Sequence, residues 1–402
     1  MRLVGLWLLL TGLIAALALG NPNHFLSVDS QYYLSMAGWL VGLNGDQYGH
    51  VSTGWDSTFP VGYPLLTGGL ARLTGTSLLA ASKGLQSLLV GVFFWVWRRR
   101  LGSTTTGWMG SVLLLGGFLR ILAYTWSEWT FMVLLLEGYW LVSQRTQSPS
   151  YTYGLRLWML TMSLFLLRYV GGFVVIAYGL QAIVTYWREG RPGIWRRIGP
   201  DLLYVGLSVG GMLAYFGLNL HLTDSPFGGE RFIETTEPLW ATLSLIALSV
   251  SNELLLLRDY VPGESATLVW VGLLIQLGLV VWLWRIVRSR RETILPPDER
   301  LARLLYVWIW ASATYLAMLF GMRLVSPFSG PNARMLSVVS LPLLMGVAAW
   351  VSRFPNLTLR RRLARWWVVL LLASWLQLLP QTDTAGKLSQ YLFGNAKAQR
   401  DR

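Results

Sequence analysis

The chain has 402 residues, of which 54% are hydrophobic and 13% charged, with a mean hydropathy of +0.48. This balance excludes a soluble globular protein of this size and marks a polytopic membrane protein. The net charge of +14 does not point to nucleic acid, because the arginines flank apolar spans and read as topology signals. Lack of cysteine excludes disulfides, thiolate metal sites and thiol nucleophiles. A conventional histidine-rich metal site would have to gather all three histidines, His24, His50 and His221.

A helix needs about 20 apolar residues to cross the hydrocarbon. On that measure about eleven stretches are expected to cross, at 3–20, 77–97, 104–123, 126–143, 154–168, 170–187, 199–218, 264–287, 303–322, 336–351 and 366–380. The stretch near 154–187 reads as two short crossings that break at Arg168 and Gly171-Gly172. Residues 1–20 resemble a cleavable signal peptide, but their long apolar run favours a retained first span. Arginines cluster at 98–100, 188–197, 285–291 and 353–365, and placing all four clusters in the cytoplasm puts the N-terminus inside and the C-terminus outside. Loops 21–76 and 219–263 then lie outside, and the apolar run 240–257 reads as a re-entrant or interfacial helix. Tryptophans near span ends, at Trp7, Trp97, Trp126, Trp129, Trp187 and Trp366, read as interfacial anchors. The whole chain reads as one integral membrane domain, with residues 1–240 as its core and 241–402 as C-terminal transmembrane helices.

The loop 21–76 is too polar and too long for a mere connection. It contains HFLSVDSQYYLSMAGWLVGL, with Tyr33, Met36, Ala37, Leu40 and Leu43 at helical spacing, which predicts an amphipathic helix on the outer surface. Ser27 or Asp29 stands at or next to its N-cap, so Asp29 reads either as a cap or as a base with Tyr32 and Tyr33 on its face. Farther on, Thr58-Phe59-Pro60-Val61-Gly62-Tyr63-Pro64 predicts a rigid turn into the second span. Arg120, Arg168, Arg231, Arg258, Arg323 and Arg334 fall near the outer ends of spans. Such arginines either snorkel or bind an anion through their planar fork. Arg168 lies in a tight apolar context, where a charge must be paired or functional. Arg231 follows Gly228 and Gly229, whose amides could add a small anion nest. Glu128 opens the fourth span as a cap or as support for Arg120, Arg168 or a bound acceptor, and Glu137, deeper in that span, is expected to pair with Arg156 or take a hydrogen bond.

The order of these elements resembles the membrane glycosyltransferases of the GT-C superfamily. The resemblance is to the bacterial branch related to protein O-mannosyltransferases and lipid A aminoarabinose transferases, glycosyltransferase family 39, RgtA/B/C/D-like. It is carried by Asp29-Ser30-x-x-Tyr33 after the first span, Pro60-x-Gly62-Tyr63-Pro64 before the second and Ser127-Glu128 at the fourth. Leu166 to Gly172 (LLRYVGG), Asn219 with Gly228-Gly229-Glu230-Arg231, and Asn332-Ala333-Arg334 with Pro342 extend it. Leu218 departs from the family, which usually has arginine there, and Val28-Asp29-Ser30 lacks the second adjacent acid of many relatives. Asp56 is a candidate for that second carboxylate, although a turn-forming role suits it better.

The resemblance implies an all-α GT-C bundle that moves a sugar from a polyprenyl-phosphate carrier to an acceptor at the outer face of a bacterial plasma membrane. It implies Asp29 as catalytic base, with Arg168, Arg231 and Arg334 on the donor phosphate and Glu128, Arg120, Tyr33 and Tyr63 in support. The acceptor, for a cell-envelope glycan, is a glycan, a lipid or a protein. No cofactor is required if the arginines suffice, and a divalent cation at Asp29 is the alternative. Two other readings use the same residues: a transporter or flippase for a lipid-linked or anionic solute, and a catalytically inactive GT-C relative.

Overall fold

The structure is a computed structural model that describes residues 3–49, 54–145, 150–189, 194–228, 238–244, 298–325 and 332–378, with isolated positions between 274 and 288. Among the described residues there is no strand. Helices run at α1 (Leu3–Gly20), α2 (Val28–Val41), α3 (Gly62–Thr74), α4 (Leu78–Leu101), α5 (Ser103–Ser111), α6 (Gly116–Ala123) and α7 (Glu128–Ser143). They continue with α8 (Tyr151–Leu167), α9 (Phe173–Glu189), α10 (Ile194–Thr223), α11 (Glu299–Val325), α12 (Ala333–Ser352) and α13 (Leu357–Ser374).

This is a multi-pass membrane protein. Among the described residues, six helices are long and apolar enough to cross a bilayer: Leu3–Gly20, Leu78–Leu101, Tyr169–Trp187, Ile198–Thr223, Glu299–Val325 and Arg334–Ser352. The expected crossing at 104–123 is instead two helices bent by 77°, Ser103–Leu114 and Gly116–Ala123, a seventh span only if counted together. The bend follows from its neighbours: Ser374 Oγ accepts the Gly116 N–H at 3.0 Å, and the Trp375 indole donates to Leu114 O at 2.8 Å. The stretches at 126–143 and 154–168 form the shorter helices α7, which is largely buried, and α8, which keeps one exposed face with Tyr151, Leu155 and Met159. Most of 264–287, and the run 240–257 beyond Ser244, lie outside the described residues.

The first helix is bound into the bundle. Leu6, Leu10, Ile14 and Ala18 are buried at spacings of four, Trp7 donates its indole N–H to Ser87 O at 2.9 Å, and Thr11 and Ser87 share a 2.6 Å hydrogen bond. Nor are the span-end tryptophans all anchors. Trp97, Trp126 and Trp129 are only 1%, 6% and 0% exposed, so they belong to the interior, whereas Trp187 and Trp366 are exposed.

The two ends of the bundle differ chemically. One carries the loop after α1, and the other carries Arg98 to Arg100, Arg145, Arg353 and the arginines of α13. Some of those arginines are structural rather than free topology signals. Arg100 binds Glu137 through two bonds of 2.8 and 2.6 Å, with Trp97 and Trp140 against its guanidinium. The expected Arg156 partner for Glu137 is therefore replaced by Arg100, because the last turn of α4 lies beside α7. Close by, Asp201 receives Arg145 Nη2 at 2.7 Å and the hydroxyls of Tyr178 and Tyr186 at 2.6 and 2.7 Å. Each of these charges is satisfied by a partner, as an interior charge requires.

Candidate functional site

At the loop end of the bundle, four charged side chains from four separate segments meet. The first is Asp29 on α2. Ser27, not Asp29, is the N-cap of that helix: its hydroxyl accepts the Ser30 N–H at 3.3 Å, while Ser30 Oγ accepts the Ser27 N–H at 3.1 Å. This reciprocal cap is worth about 1 kcal/mol and leaves the Asp29 carboxylate free of capping work. Asp29 Oδ2 instead accepts Arg334 Nη1 at 2.7 Å. Among the described residues, only that oxygen of Asp29 is hydrogen-bonded.

Arg334 lies in the first turn of α12, whose cap is Asn332, with Oδ1 accepting the Met335 N–H at 3.3 Å. A cation at a helix N-terminus opposes the dipole and calls for carboxylates nearby. Arg334 finds two, because its Nε and Nη2 also reach Glu128 Oε1 at 2.6 and 2.5 Å. Glu128 is an acid in the first turn of α7, the favourable end for a carboxylate, and is 2% exposed. Arg168 Nη1 reaches the same oxygen at 2.6 Å. Glu128 Oε2 is buried and, among the described residues, has no hydrogen-bond partner.

Arg168 is delivered by a break in the chain. Its backbone is extended (φ −154°, ψ 129°) between α8 and a 3-10 turn at Tyr169–Gly172, the position where the sequence predicts two crossings to meet. The break is clamped from two sides. Gly62 of the Pro60 to Pro64 turn packs on the end of α8 so closely that a Cβ there would lie 2.5 Å from Leu166 O. On the other side Tyr169 donates to Ser57 O at 2.8 Å and receives Asn219 Nδ2 at 2.9 Å.

Asn219 is the hub of a latch between the loop after α2 and the end of α10. Its Oδ1 accepts the Trp55 indole N–H at 2.9 Å, and its Nδ2 also donates to Pro226 O at 2.9 Å. Gly228, at φ +73°, lies against Thr58 so closely that a Cβ would meet the Thr58 backbone at 2.4 Å. Asp56 makes the turn expected of it, accepting the Thr58 N–H at 2.7 Å.

The two supporting tyrosines pack beneath the charges. Tyr33 OH and Ser127 Oγ are 3.0 Å apart, and Arg168 Nη1 reaches that Ser127 oxygen at 3.4 Å. Burial pushes the Tyr33 phenol up to about 12, so it is neutral at physiological pH and serves as a hydrogen-bonding group rather than a base. Tyr63 meets it edge to face at a 5.0 Å centroid separation, and burial likewise raises its phenol. Gln86 Nε2 donates to Tyr63 OH at 3.4 Å and to Trp126 O at 2.8 Å.

Sequence reasoning missed Trp126. The Arg334 guanidinium sits 3.9 Å above its ring centroid, Tyr124 stacks on it at 3.8 Å, and its indole N–H donates to Ser27 Oγ at 2.7 Å. The available signal was its position two residues before Glu128. Arg120 is half-buried in the last turn of α6, with its carbonyl accepting the Tyr124 N–H. Arg323 is buried at the end of α11. Arg231, Arg258 and His50 lie outside the described residues. His24 Nδ1 is 2.9 Å from Ala18 O, and among the described residues no three His, Asp or Glu side chains are grouped as metal ligands.

No family model and no curated protein sequence matches the chain. Among solved structures it is similar to ArnT from Cupriavidus metallidurans in the apo state, with TM-score 0.53 and 17% identity over 91% of this chain and 62% of ArnT. It is also similar to ArnT bound to undecaprenyl phosphate, with TM-score 0.54 and 16% identity over the same shares. The chain thus spans under two thirds of the length of the protein it matches. The likeness reaches across nearly all of this chain and shows that the two proteins share a fold.

Proposed function

We propose that the protein is an inverting glycosyltransferase that moves a sugar from a polyprenyl-phosphate carrier to an acceptor hydroxyl. The observation that carries the reading is the chain of contacts Asp29–Arg334–Glu128–Arg168. It holds one partly exposed carboxylate beside two guanidiniums anchored by a buried acid. The fold shared with ArnT, one of whose structures holds undecaprenyl phosphate, supports the donor class.

In this reading Asp29 accepts the proton of the acceptor hydroxyl as the oxygen attacks the anomeric carbon from the face opposite the phosphate. The new C–O bond forms while the sugar–phosphate C–O bond breaks, and its electron pair leaves on the polyprenyl monophosphate. Arg168 and Arg334 stabilise that charge. Arg168 reaches Glu128 and Ser127 through Nη1, and its planar fork carries further N–H donors for phosphate oxygens. Glu128 fixes both guanidiniums, so little reorganisation is needed when charge develops. Arg231 completes the phosphate set, Arg120, Tyr33 and Tyr63 support it, and no metal is assigned a role. The N-terminus is cytoplasmic and the site faces outward, as the arginine clusters at the opposite end favour.

Mass spectrometry of lipids that co-purify from the native membrane tests the donor class. A retained polyprenyl monophosphate or its glycosylated form supports it. Ordinary phospholipids alone, even after synthetic polyprenyl-phosphate sugars are added, contradict it and favour a transporter.

A further inference from the structure

The Asp29–Arg334 pair joins two helices far apart in sequence, and one side chain touches both supports of that pair. Trp126 lies under Arg334, its ring centroid 3.9 Å from the guanidinium carbon. Its indole N–H, on the ring edge, donates at 2.7 Å to Ser27 Oγ. Ser27 is the N-cap of α2 and stands two residues before Asp29. Trp126 is itself immobilised. Tyr124 covers its other face at 3.8 Å with an interplanar angle of 4°, Phe25 meets Tyr124 edge-on at 5.0 Å, and Gln86 holds the Trp126 carbonyl. The indole is 6% exposed, too enclosed for an interfacial anchor.

The geometry points to Trp126 as a positioning residue that sets Arg334 against Asp29. The assignment rests on the glycosyl-transfer reading of the same site. The ring face favours the cation where it contacts both carboxylates, and the N–H fixes the first turn of α2, so the two ends of the ion pair share one rigid plate. Neither contact involves substrate, so Trp126 acts through Asp29 and Arg334. Among aromatic residues, only tryptophan offers this broad face together with an edge N–H donor.

Two substitutions separate the contacts. Trp126→Phe keeps a ring under Arg334 and removes the bond to Ser27, and Trp126→Leu removes both. In steady-state transfer from a polyprenyl-phosphate sugar, Trp126→Phe is expected to lower kcat about tenfold with donor KM within about twofold. Trp126→Leu is expected to lower kcat about a hundredfold and to raise donor KM. A purely packing role would lower the amount of folded protein and leave both constants of the surviving fraction unchanged.

A second readout does not depend on the reaction. The chain has no cysteine, so spin labels at Val28→Cys on α2 and Val347→Cys on α12, both exposed positions, report the placement of the two helices. Trp126→Leu is expected to broaden or shift the label distance. Unchanged kcat and KM with an unchanged distance overturn the assignment. If the unsubstituted protein transfers no sugar, the glycosyl-transfer reading fails, while the label distance still decides whether Trp126 positions α2 against α12.

Discussion

Arg334 donates to Asp29 at 2.7 Å across 305 residues of chain, and the same guanidinium is held by Glu128. The charged cluster is therefore not confined to residues 1–240. The first turn of α12 completes it, so the C-terminal helices contribute a side chain as well as hydrophobic bulk.

Glu128 anchors two cations while 2% exposed. Its replacement by glutamine leaves two guanidiniums facing a neutral amide in a desolvated site, a loss on the order of 3–5 kcal/mol for a broken buried pair. Glu128→Gln is expected to lower the thermal unfolding midpoint and abolish transfer together. Arg334→Lys, which keeps the charge but loses the planar fork, should retain most of the stability and lose roughly a hundredfold in kcat/KM. Differential scanning fluorimetry with transfer kinetics checks both.

Tyr33 supplies a pH prediction. Its pKa is raised by burial to about 12, against about 10 in an unfolded chain. Above pH 10 the unfolded state loses the proton first, so native stability is fully present below about pH 10 and falls as pH rises toward 12. Tyr33→Phe is expected to shallow that alkaline decline in pH-dependent unfolding. It should leave the shape of the transfer pH profile between about pH 6 and 9 unchanged, because the phenol stays neutral there.

Gly62 sets the approach of the Pro60 to Pro64 turn to the break at Arg168. A methyl group there would sit 2.5 Å from Leu166 O, so Gly62→Ala must push α3 away from α8 and shift Arg168. The expected result is a loss of about a hundredfold in transfer rate, the order associated with a misplacement of about 1 Å. Gly69→Ala is the control: on the same helix, nothing lies within 4 Å of its added methyl. It should be neutral or stabilising by up to about 1 kcal/mol.

Because the reading assigns the leaving phosphate to guanidiniums, transfer is expected to persist at near-full rate after exhaustive dialysis against a chelator. Activity lost with the chelator and restored by a divalent cation would move the charge-stabilising role to a metal at Asp29.

Arg168 was legible in the sequence because a charged group in an apolar stretch is costly and so stands out, and Asp29, Glu128 and Arg334 because of their places in the motif order that carries the GT-C resemblance. Asp29, Glu128, Arg168 and Arg334 could each be singled out, and the break at Arg168 was visible from Gly171-Gly172. Their partners were not. Which guanidinium reaches which carboxylate depends on helix packing, as the pairing of Glu137 with Arg100 shows. Trp126 was misread because a tryptophan near a span end has the same local context whether it faces lipid or a half-buried cation. The 77° bend within 103–123 was hidden for a similar reason. It is imposed by Ser374 and Trp375, more than 250 residues away, and leaves the local hydropathy that of an ordinary span.

The assignment of Asp29 as the base of a transfer from a polyprenyl-phosphate sugar underlies the roles given to Arg168, Arg334 and Glu128. It is tested most directly by reconstituting the protein and Asp29→Asn in liposomes with labelled polyprenyl-phosphate sugar and membrane acceptors, then following the label by thin-layer chromatography. Transfer is expected from the unsubstituted protein, with a loss of about a thousandfold or more in Asp29→Asn, within reach of a missing general base, and an unfolding midpoint of the variant near that of the parent. Equal transfer by both proteins, or none by the parent with any polyprenyl-phosphate sugar, would contradict the assignment.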